Sequence, residues 1–477
     1  MNYVLRGHNY VDDVVSIIMM FYPNDKYIQT AEVTGRVTVV SELENVKARG
    51  MLYIDGELRA EVCAMAENDS QREIKRVIGL SIAKAVNSLL NISLPWGILT
   101  GVRPAKLVSE AWAEGQTTDE IRKTFKEKYL VSDEKLDLMI KVAEEEKKIV
   151  EGGIGKTGLY IGIPFCPTRC LYCSFTSYPL KQYSGRVDDY IDALIKEMEY
   201  VKPYFENNEI ESIYIGGGTP TSLNEKQLEK LLTAVEKCFK IPCEFTVEAG
   251  RPDTVTEEKL RILKEHNVSR ISINPQTLNE STLRLIGREH SVEMFYNAFE
   301  MARKTGHKHI NTDIILGLPG EGEAEVTNTM EGLMRLGPES ITVHTLAVKR
   351  ASRLKETLDK YTMTDSEKMD RLIGISREYT EKMGMFPYYM YRQKNMVGNF
   401  ENVGYCKPGC QCIYNVAIME EKQTIIALGA GGSTKIVDNE LNKIERVFNV
   451  KSVDDYISRI DEMLERKNTL ILKCFST

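Results

Sequence analysis

From about residue 158 onward, short apolar runs alternate with amphipathic stretches. The runs LYIGIP, SIYIG, FTVEA, RISIN, NTDIILG and SITVHTL read as strands, and YIDALIKEMEYV, KQLEKLLTAVEKCF, EEKLRILKEH and VEMFYNAFEMARKTG between them read as helices. Strand–helix alternation of this kind predicts consecutive βαβ units and a parallel sheet. Six units predict an α/β fold, a partial (β/α)6 barrel smaller than the eight-unit closed form. The polar and glycine-rich segments FCPTRCLYC, GGTP, EAGRP, NPQ, GLPGE and AVKR each follow a strand. Ligands of parallel sheets bind at the carboxyl ends of the strands, so all six loops are expected to open onto one face.

The pattern differs on both sides of this region. In VTVVSELENVKARGMLYIDGELRAEVCAMA, apolar and polar residues alternate as in antiparallel strands, with Asp55-Gly56 as a turn. QREIKRVIGLSIAKAVNSLL then reads as a helix, LPWGILTGVRPAKL as a loop, and EKLDLMIKVAEEEKKIV as a helix with a solvated charged face that runs into the breaker EGGIGKTG. Residues 1–152 are therefore expected to form an N-terminal α+β domain and residues 153–385 the barrel. Residues 386–477 begin with FPYYMYRQKNMVGNFENVGYCKPGCQCIYN, continue through the strand-rich AIMEEKQTIIALGAGGSTKIV, and end in a helix around VDDYISRIDEMLERK. They are expected to form a C-terminal α+β cap.

Composition narrows the setting. The 477 residues are 42% hydrophobic and 27% charged, as in ordinary globular proteins. A net charge of -7 without a dominant basic run argues against a nucleic-acid partner. No apolar run approaches the ~20 residues needed to span a bilayer, and Asp12 and Asp13 interrupt the stretch where a secretory signal would be apolar. A cytoplasmic location is expected. Ten cysteines there are poorly explained by disulfides. The clustered ones suggest metal, and the scattered Cys63, Cys238, Cys243 and Cys474 suggest buried small hydrophobes.

Cys166, Cys170 and Cys173 lie at CxxxCxxC spacing in CPTRCLYC. Three thiolates on one loop can hold three corners of a [4Fe–4S] cluster, leaving the fourth iron to chelate a small molecule such as S-adenosylmethionine (SAM) through its amine and carboxylate. Zinc would want a fourth ligand, and no paired CxxC or His lies nearby.

The loop IPFCPTRCLYCSF resembles the cluster loop of the radical SAM superfamily, and its Y-I-x-I-P-F-C form resembles the oxygen-independent coproporphyrinogen III oxidase (HemN-like) family. The similarity continues through IYIGGGTPTSL, the VEA stretch, SINPQTLNESTLRLIGREH, NTDIILGLPGE and IALGAG, over residues 159 to about 436. With its extra N-terminal domain the chain is most similar to the family's HemZ branch. The resemblance implies metal ligation by Cys166, Cys170 and Cys173. It places Tyr172 on the adenine and Tyr160 beside the cluster, where core packing is the alternative. It puts Gly217, Gly218 and Thr219, in the run 216–220, around the methionine end of the cofactor, where glycine lets backbone N–H groups approach closely. Glu248, Gln276, Arg288, Asp313 and Ala347 match further cofactor-contacting positions. An unpaired carboxylate inside a strand is costly, which favours a ligand partner for Asp313.

The match departs from the family in two places. The best-known members carry another cysteine two residues after the third, and here Phe175 follows Ser174. The family's R-P-G stretch leading to R-H-N appears as KPGCQCIYN, with Lys407, Pro408, Gly409 and Asn415 retained but Ile413 and Tyr414 in place of the basic pair. Cys406, Cys410 and Cys412 form a group of their own that could bind a metal, accept electrons or pack beside the barrel mouth; no second cluster is expected, since CxxxCxC matches no common cubane site.

The implied activity is oxidative decarboxylation of coproporphyrinogen III to protoporphyrinogen IX, in haem biosynthesis, with a reductant protein such as flavodoxin or ferredoxin as partner. Lys349, Arg350, Arg353, Arg392 and Lys394 are candidates for the substrate's carboxylates, with solvated surface charge as the alternative. Two rivals remain: a haem chaperone, for which His344 and the His307/His309 pair are the notable ligands, and a haem-degrading radical SAM methyltransferase.

Overall fold

A computed structural model describes the chain apart from residues 24, 102, 175, 176, 348–351, 357–363, 394–399, 442 and 475–477, and apart from the side chains at 355 and 469–474. It divides into two compact units. No helix among the described residues is long and apolar enough to cross a membrane.

The first unit comprises Met1–Ala143 with Asp365–Glu367 and Arg392–Glu401. Its sheet is built from β1 (Asn2–Arg6), β2 (Ile28–Gln29), β3 (Val37–Glu44), β4 (Lys47–Ile54) and β5 (Glu57–Met65), in the order β2-β1-β3-β4-β5. Strands β3, β4 and β5 form an antiparallel meander. Asp55 and Gly56 turn its second hairpin with φ of 51° and 82°, the paired positive values that suit the right-handed twist of the strands. Helices Val11–Phe21 and Gln71–Leu90 bury Ile17, Ile18, Phe21, Val77, Ile78 and Ile82 against Val39, Ala48 and Leu52. Gly50 is required there, because a Cβ would stand 2.5 Å from the backbone of Ser81 and Ile82.

The second unit comprises Glu144–Thr364, Lys368–Tyr391 and Asn402–Thr477. Its strands are β6 (Thr157–Ile163), the two-residue β7 (Phe165–Cys166) and β8 (Tyr178–Pro179), β9 (Ile210–Gly217), β10 (Glu244–Glu248), β11 (Arg270–Ser272), β12 (His309–Leu316), β13 (Ser340–Thr345), β14 (Phe386–Arg392), β15 (Glu401–Cys406), β16 (Thr424–Leu428), β17 (Ser433–Asp438) and β18 (Lys443–Phe448). The six neighbours β6, β9, β10, β11, β12 and β13 are mutually parallel. They fall on the six apolar runs, with helices between them: the (β/α)6 array of a partial barrel. Helix starts follow capping chemistry, as at Asn224, whose side chain accepts from Gln227 N while Gln227 returns a bond to the Asn224 N–H. The C-terminal residues join this sheet at both edges. Strand β15 lies antiparallel to β13, whereas β16 lies parallel to β6 and is followed outward by β17 and β18.

Several surface expectations fail on burial. In the charge run EKLDLMIKVAEEEKKIV, Lys135 and Glu146 are each 1% exposed. Lys135 Nζ donates to Glu401 Oε1 at 2.7 Å, while Trp96 Nε1 donates to Glu401 Oε2 at 2.6 Å. Conversely, Cys63 and Cys243 are exposed and Cys238 is half-buried rather than core, and the Cys474 side chain lies outside the described residues.

Candidate functional site

The cysteine loop leaves β6 at the carboxyl end of the parallel sheet. Gly218 N donates to Ile163 O at 2.8 Å and Thr219 N to Phe165 O at 2.7 Å, so the glycine run after β9 clamps the start of the loop. A Cβ on Gly218 would lie 2.5 Å from Phe165 O and 3.0 Å from Cys166 Sγ, which excludes any larger residue. Thr219 Oγ1 stands 3.6 Å from Cys166 Sγ. Farther along, Leu171 N donates to Ile286 O at 2.9 Å and Leu354 N to Leu171 O at 2.9 Å, pinning the middle of the loop.

Cys166, Cys170 and Cys173 are free thiols, and Cys166 is pushed up to about 11, chiefly by burial and further by the two neighbouring thiols. Among the described residues no three His, Cys, Asp or Glu side chains converge on a point suited to one metal ion. A cubane does not ask for that, since each thiolate binds a different iron. The surroundings fit a bound cluster and a zwitterionic cofactor. Arg288 NH1 donates to Asn274 O at 2.6 Å and NH2 to the Tyr172 hydroxyl at 3.3 Å, while its buried Nε has no partner. Gln276 holds a left-handed backbone (φ 69°) through bonds to Asp313 O and from Ile315 N, an unfavourable conformation for a non-glycine residue of the sort found at binding sites.

Glu248 ends β10. Its Oε1 accepts from the Tyr214 hydroxyl at 2.6 Å and its Oε2 from Gly217 N at 3.2 Å. Burial, with the charge of Asp313 behind it, pushes its carboxyl up to about 7, although the two donors pull it back. Folded, cluster-free protein therefore keeps a proton that the unfolded chain releases above its ordinary 4.5. Stability should fall as pH rises from about 4.5 to about 7, by on the order of 3 kcal/mol, and stay level beyond. Urea midpoints across that range test this, and Glu248→Gln should flatten the profile.

The other expected residues are distributed as follows. Tyr160 stacks with Tyr214 at 6.3 Å and with Tyr414 at 6.0 Å, and Tyr214 stacks on Tyr414 at 4.4 Å. Asp313 is already partnered inside the protein, against the sequence argument for a ligand. It accepts from Asn311 Nδ2 at 2.7 Å and Asn274 Nδ2 at 3.1 Å, with His344 Nε2 at 3.7 Å. Ala347 lies two residues past the end of β13, and Lys349 and Arg350 lie outside the described residues, as does Lys394. Arg353 reaches the Arg169 carbonyl at 3.4 Å. In the first unit, Arg392 is neither surface charge nor an open anion clamp. It is 2% exposed, donates to Leu99 O at 2.7 Å and lies over the Trp96 ring at 4.9 Å. His307 is buried against the Leu260 carbonyl at 3.0 Å, a poor position for taking haem.

Arg251 was not singled out by the motif reading, although EAGRP contains it. Its guanidinium is held by Asp253 and donates to Thr168 Oγ1 at 2.7 Å, tying the cysteine loop to the loop after β10. A second support lies behind β6. The Tyr190 hydroxyl donates to Gly162 O at 2.6 Å and accepts from Ala430 N at 3.0 Å. Glu197, fully buried, accepts from Gly429 N, Asn449 Nδ2 and the Tyr456 hydroxyl at 2.7, 2.8 and 2.6 Å and pairs with buried Lys467. Gly429 has φ 91° and a Cβ there would stand 2.5 Å from Gly162 O, so the LGAGG turn sits directly on the strand that feeds the cysteines.

Cys406 pairs in register with Ser340, the first residue of β13. The group Cys406, Cys410 and Cys412 thus lies at the amino-terminal end of the strands, not at the barrel mouth. All three are buried with Tyr388, Tyr389 and Tyr414. Arg270 NH2 donates to the carbonyls of Cys410 and Gln411, and Glu244 accepts from the N–H groups of Ile413 and Tyr414. A Cys406→Ala/Cys410→Ala/Cys412→Ala protein should keep its full iron and sulfide content. A loss of about four irons per chain would assign a second cubane to these thiols.

Comparison with known proteins gives the same region a wider context. The radical SAM superfamily model matches residues 160–333. HemZ of Bacillus subtilis, described as an oxygen-independent coproporphyrinogen-III oxidase-like protein, is 38% identical over 411 residues, covering 84% of this chain and 82% of its own. The heme chaperone HemW of Bacillus subtilis is 32% identical over 308 residues, 64% of this chain and 76% of its own. Among solved structures, coproporphyrinogen III oxidase (HemN) of Escherichia coli, described as a radical SAM enzyme, aligns with a TM-score of 0.53 at 20% identity, covering 67% of this chain and 73% of its own.

Proposed function

Because this chain belongs to the HemZ branch of the HemN-like radical SAM family, we propose that it converts coproporphyrinogen III to protoporphyrinogen IX by oxygen-independent oxidative decarboxylation. The observation carrying this reading is the similarity to HemZ, which runs well beyond the barrel on both sides. The cofactors are a [4Fe–4S] cluster and SAM. Bound and reduced, they would supply a 5′-deoxyadenosyl radical that takes a hydrogen atom from a propionate side chain; carbon dioxide would then leave, one electron would pass to an external one-electron acceptor and a vinyl group would remain, once at each of two propionates.

Cys166, Cys170 and Cys173 hold the cluster in this reading, on a loop fixed by Gly218, Thr219 and Arg251. Arg251 and Arg288 place two buried positive charges near Cys170, offsetting the negative charge that three thiolates bring. Tyr172, with its hydroxyl oriented by Arg288, is placed to pack on the adenine. Gly217, Glu248 and Gln276 offer polar contacts to the rest of the cofactor, and the aromatic floor of Tyr160, Tyr214 and Tyr414 excludes water beneath it. Arg353, with Lys349 and Arg350, is assigned to the substrate's carboxylates. A flavodoxin- or ferredoxin-type protein would supply the electron.

The test is anaerobic turnover of coproporphyrinogen III by reconstituted protein with SAM and reductant. Divinyl product is expected. Cofactor cleavage without it rejects the substrate and spares the radical chemistry. The HemW similarity favours a second reading, haem chaperone. Stable, stoichiometric haem binding with no porphyrinogen turnover would establish that instead.

A further inference from the structure

The step from β11 into the loop beyond it is irregular. As far as Ile273 the parallel ladder holds, with Ile273 N donating to Asn311 O at 2.9 Å. The next ladder donor belongs at Pro275, and proline has no N–H to give. Gln276 N donates to Asp313 O in its place, at 3.0 Å, and Ile315 N returns to Gln276 O at 3.0 Å. One extra residue is thereby inserted opposite β12, a bulge of the kind that re-aims side chains beside active sites. The left-handed backbone of Gln276 (φ 69°) closes it.

Buried Asn274 repairs the ladder with its side chain. Its Oδ1 accepts from Asp313 N at 3.1 Å, where a regular strand would present a backbone carbonyl, and from Ser272 Oγ at 2.7 Å. Its Nδ2 donates to Asp313 Oδ2 at 3.1 Å. The amide therefore grips both the backbone and the carboxylate of Asp313, whose other oxygen accepts from Asn311 Nδ2 at 2.7 Å. The Asn274 N–H is spent on Gly250 O at 3.1 Å. Side chain and N–H are thus fixed, and the Asn274 carbonyl, turned out of the ladder, accepts from Arg288 NH1 at 2.6 Å. Arg288 is itself buried, and its NH2 donates to the Tyr172 hydroxyl at 3.3 Å.

These contacts form a chain from β12 to the cysteine loop. A long guanidinium side chain is held in one place when it donates to a charge-assisted acceptor that cannot move. The Asn274 carbonyl is such an acceptor only while the Asn274 amide stays locked on Asp313. We propose that Asn274 is a positioning residue for SAM: by gripping Asp313 it fixes the bulge at 273–276, which sets Gln276 directly and, through the Asn274 carbonyl, Arg288 and Tyr172. Asp313 then serves as the anchor of the bulge. The inference rests on the reading above, in which Tyr172 and Gln276 meet the cofactor.

The test is a double-mutant cycle on the dissociation constant of SAM, followed through the change SAM makes in the electron paramagnetic resonance spectrum of the reduced, reconstituted protein. Asn274→Ala, and Asn274→Ser with a hydroxyl too short to reach Asp313 N, should each weaken SAM by ~10-fold or more while iron content stays as in the parent. In an Arg288→Ala background, Asn274→Ala should weaken it by only ~2–3-fold, because two changes to one chain of contacts do not add. Unchanged affinity in both Asn274 variants would overturn the proposal. So would equal weakening in the two backgrounds, or loss of the cluster from both variants, since each marks a general loosening of the fold. If Arg288→Ala binds SAM as tightly as the parent, the reading of the cofactor site fails as well.

Discussion

Cys166→Ala, Cys170→Ala and Cys173→Ala are each expected to remove the cubane's visible absorbance and reduce SAM cleavage to background. The reason is stoichiometric. Each thiolate serves a different iron, and SAM needs the one corner that has none. Losing a thiolate leaves two corners without protein ligands, so the cluster is lost or rearranges and the cofactor's docking corner is no longer unique. The effect should far exceed the ~10–100-fold typical of outer contacts, a range in which Arg251→Ala, which frees Thr168 from its tether, is expected to fall. Cys63→Ala and Cys243→Ala alter exposed thiols away from the loop and should leave iron content unchanged. Anaerobic reconstitution followed by iron analysis and 5′-deoxyadenosine measurement checks all six variants. A cluster that persists unaltered in the three loop variants would dismiss the tripod.

Lys467→Met should destabilise the cluster-free second unit by about 3–5 kcal/mol, because it leaves the Glu197 carboxylate buried without its positive partner. Glu197 is fully buried and also receives Gly429 N, Asn449 and Tyr456. Adding Glu197→Gln to Lys467→Met should return much of that loss, since an amide needs no counter-charge. Urea unfolding of the single and double variants measures the difference. If the single variant unfolds like the parent, the ion pair does not hold the LGAGG turn in place. A looser turn should also reduce cluster retention, because Gly429 rests on Gly162 just upstream of Cys166.

The fold was legible where local pattern suffices. All six parallel strands fall on apolar runs, and the helices that follow Asn224, Thr256 and Ser291 start at side chains that cap, because periodicity and capping depend on residues close in sequence. The Asp55-Gly56 hairpin was legible for the same reason. Charge burial was not. Lys135 looks solvated within its own helix, and its partner Glu401 lies 266 residues away. Arg392 likewise meets Leu99 and Trp96 from far along the chain. Which end of the strands holds Cys406, Cys410 and Cys412 was not legible, because the register of β15 on β13 has no trace in a single sequence. Spacing gave the CPTRCLYC loop its chemistry, yet its braces, Arg251 and the Glu197–Lys467 pair, are ordinary charged residues whose role comes from what they reach.

The pairing of β16 with β6 carries a consequence for synthesis. Strand β6 exits the ribosome early, whereas its second neighbour follows after roughly 260 residues. At ~5–20 residues per second that is about 10–50 s. Throughout that interval one edge of an apolar strand stands open to wrong partners. Nascent chains halted before residue 424 should therefore engage holdase chaperones and resist metallation, and release past the LGAGG turn should permit iron loading.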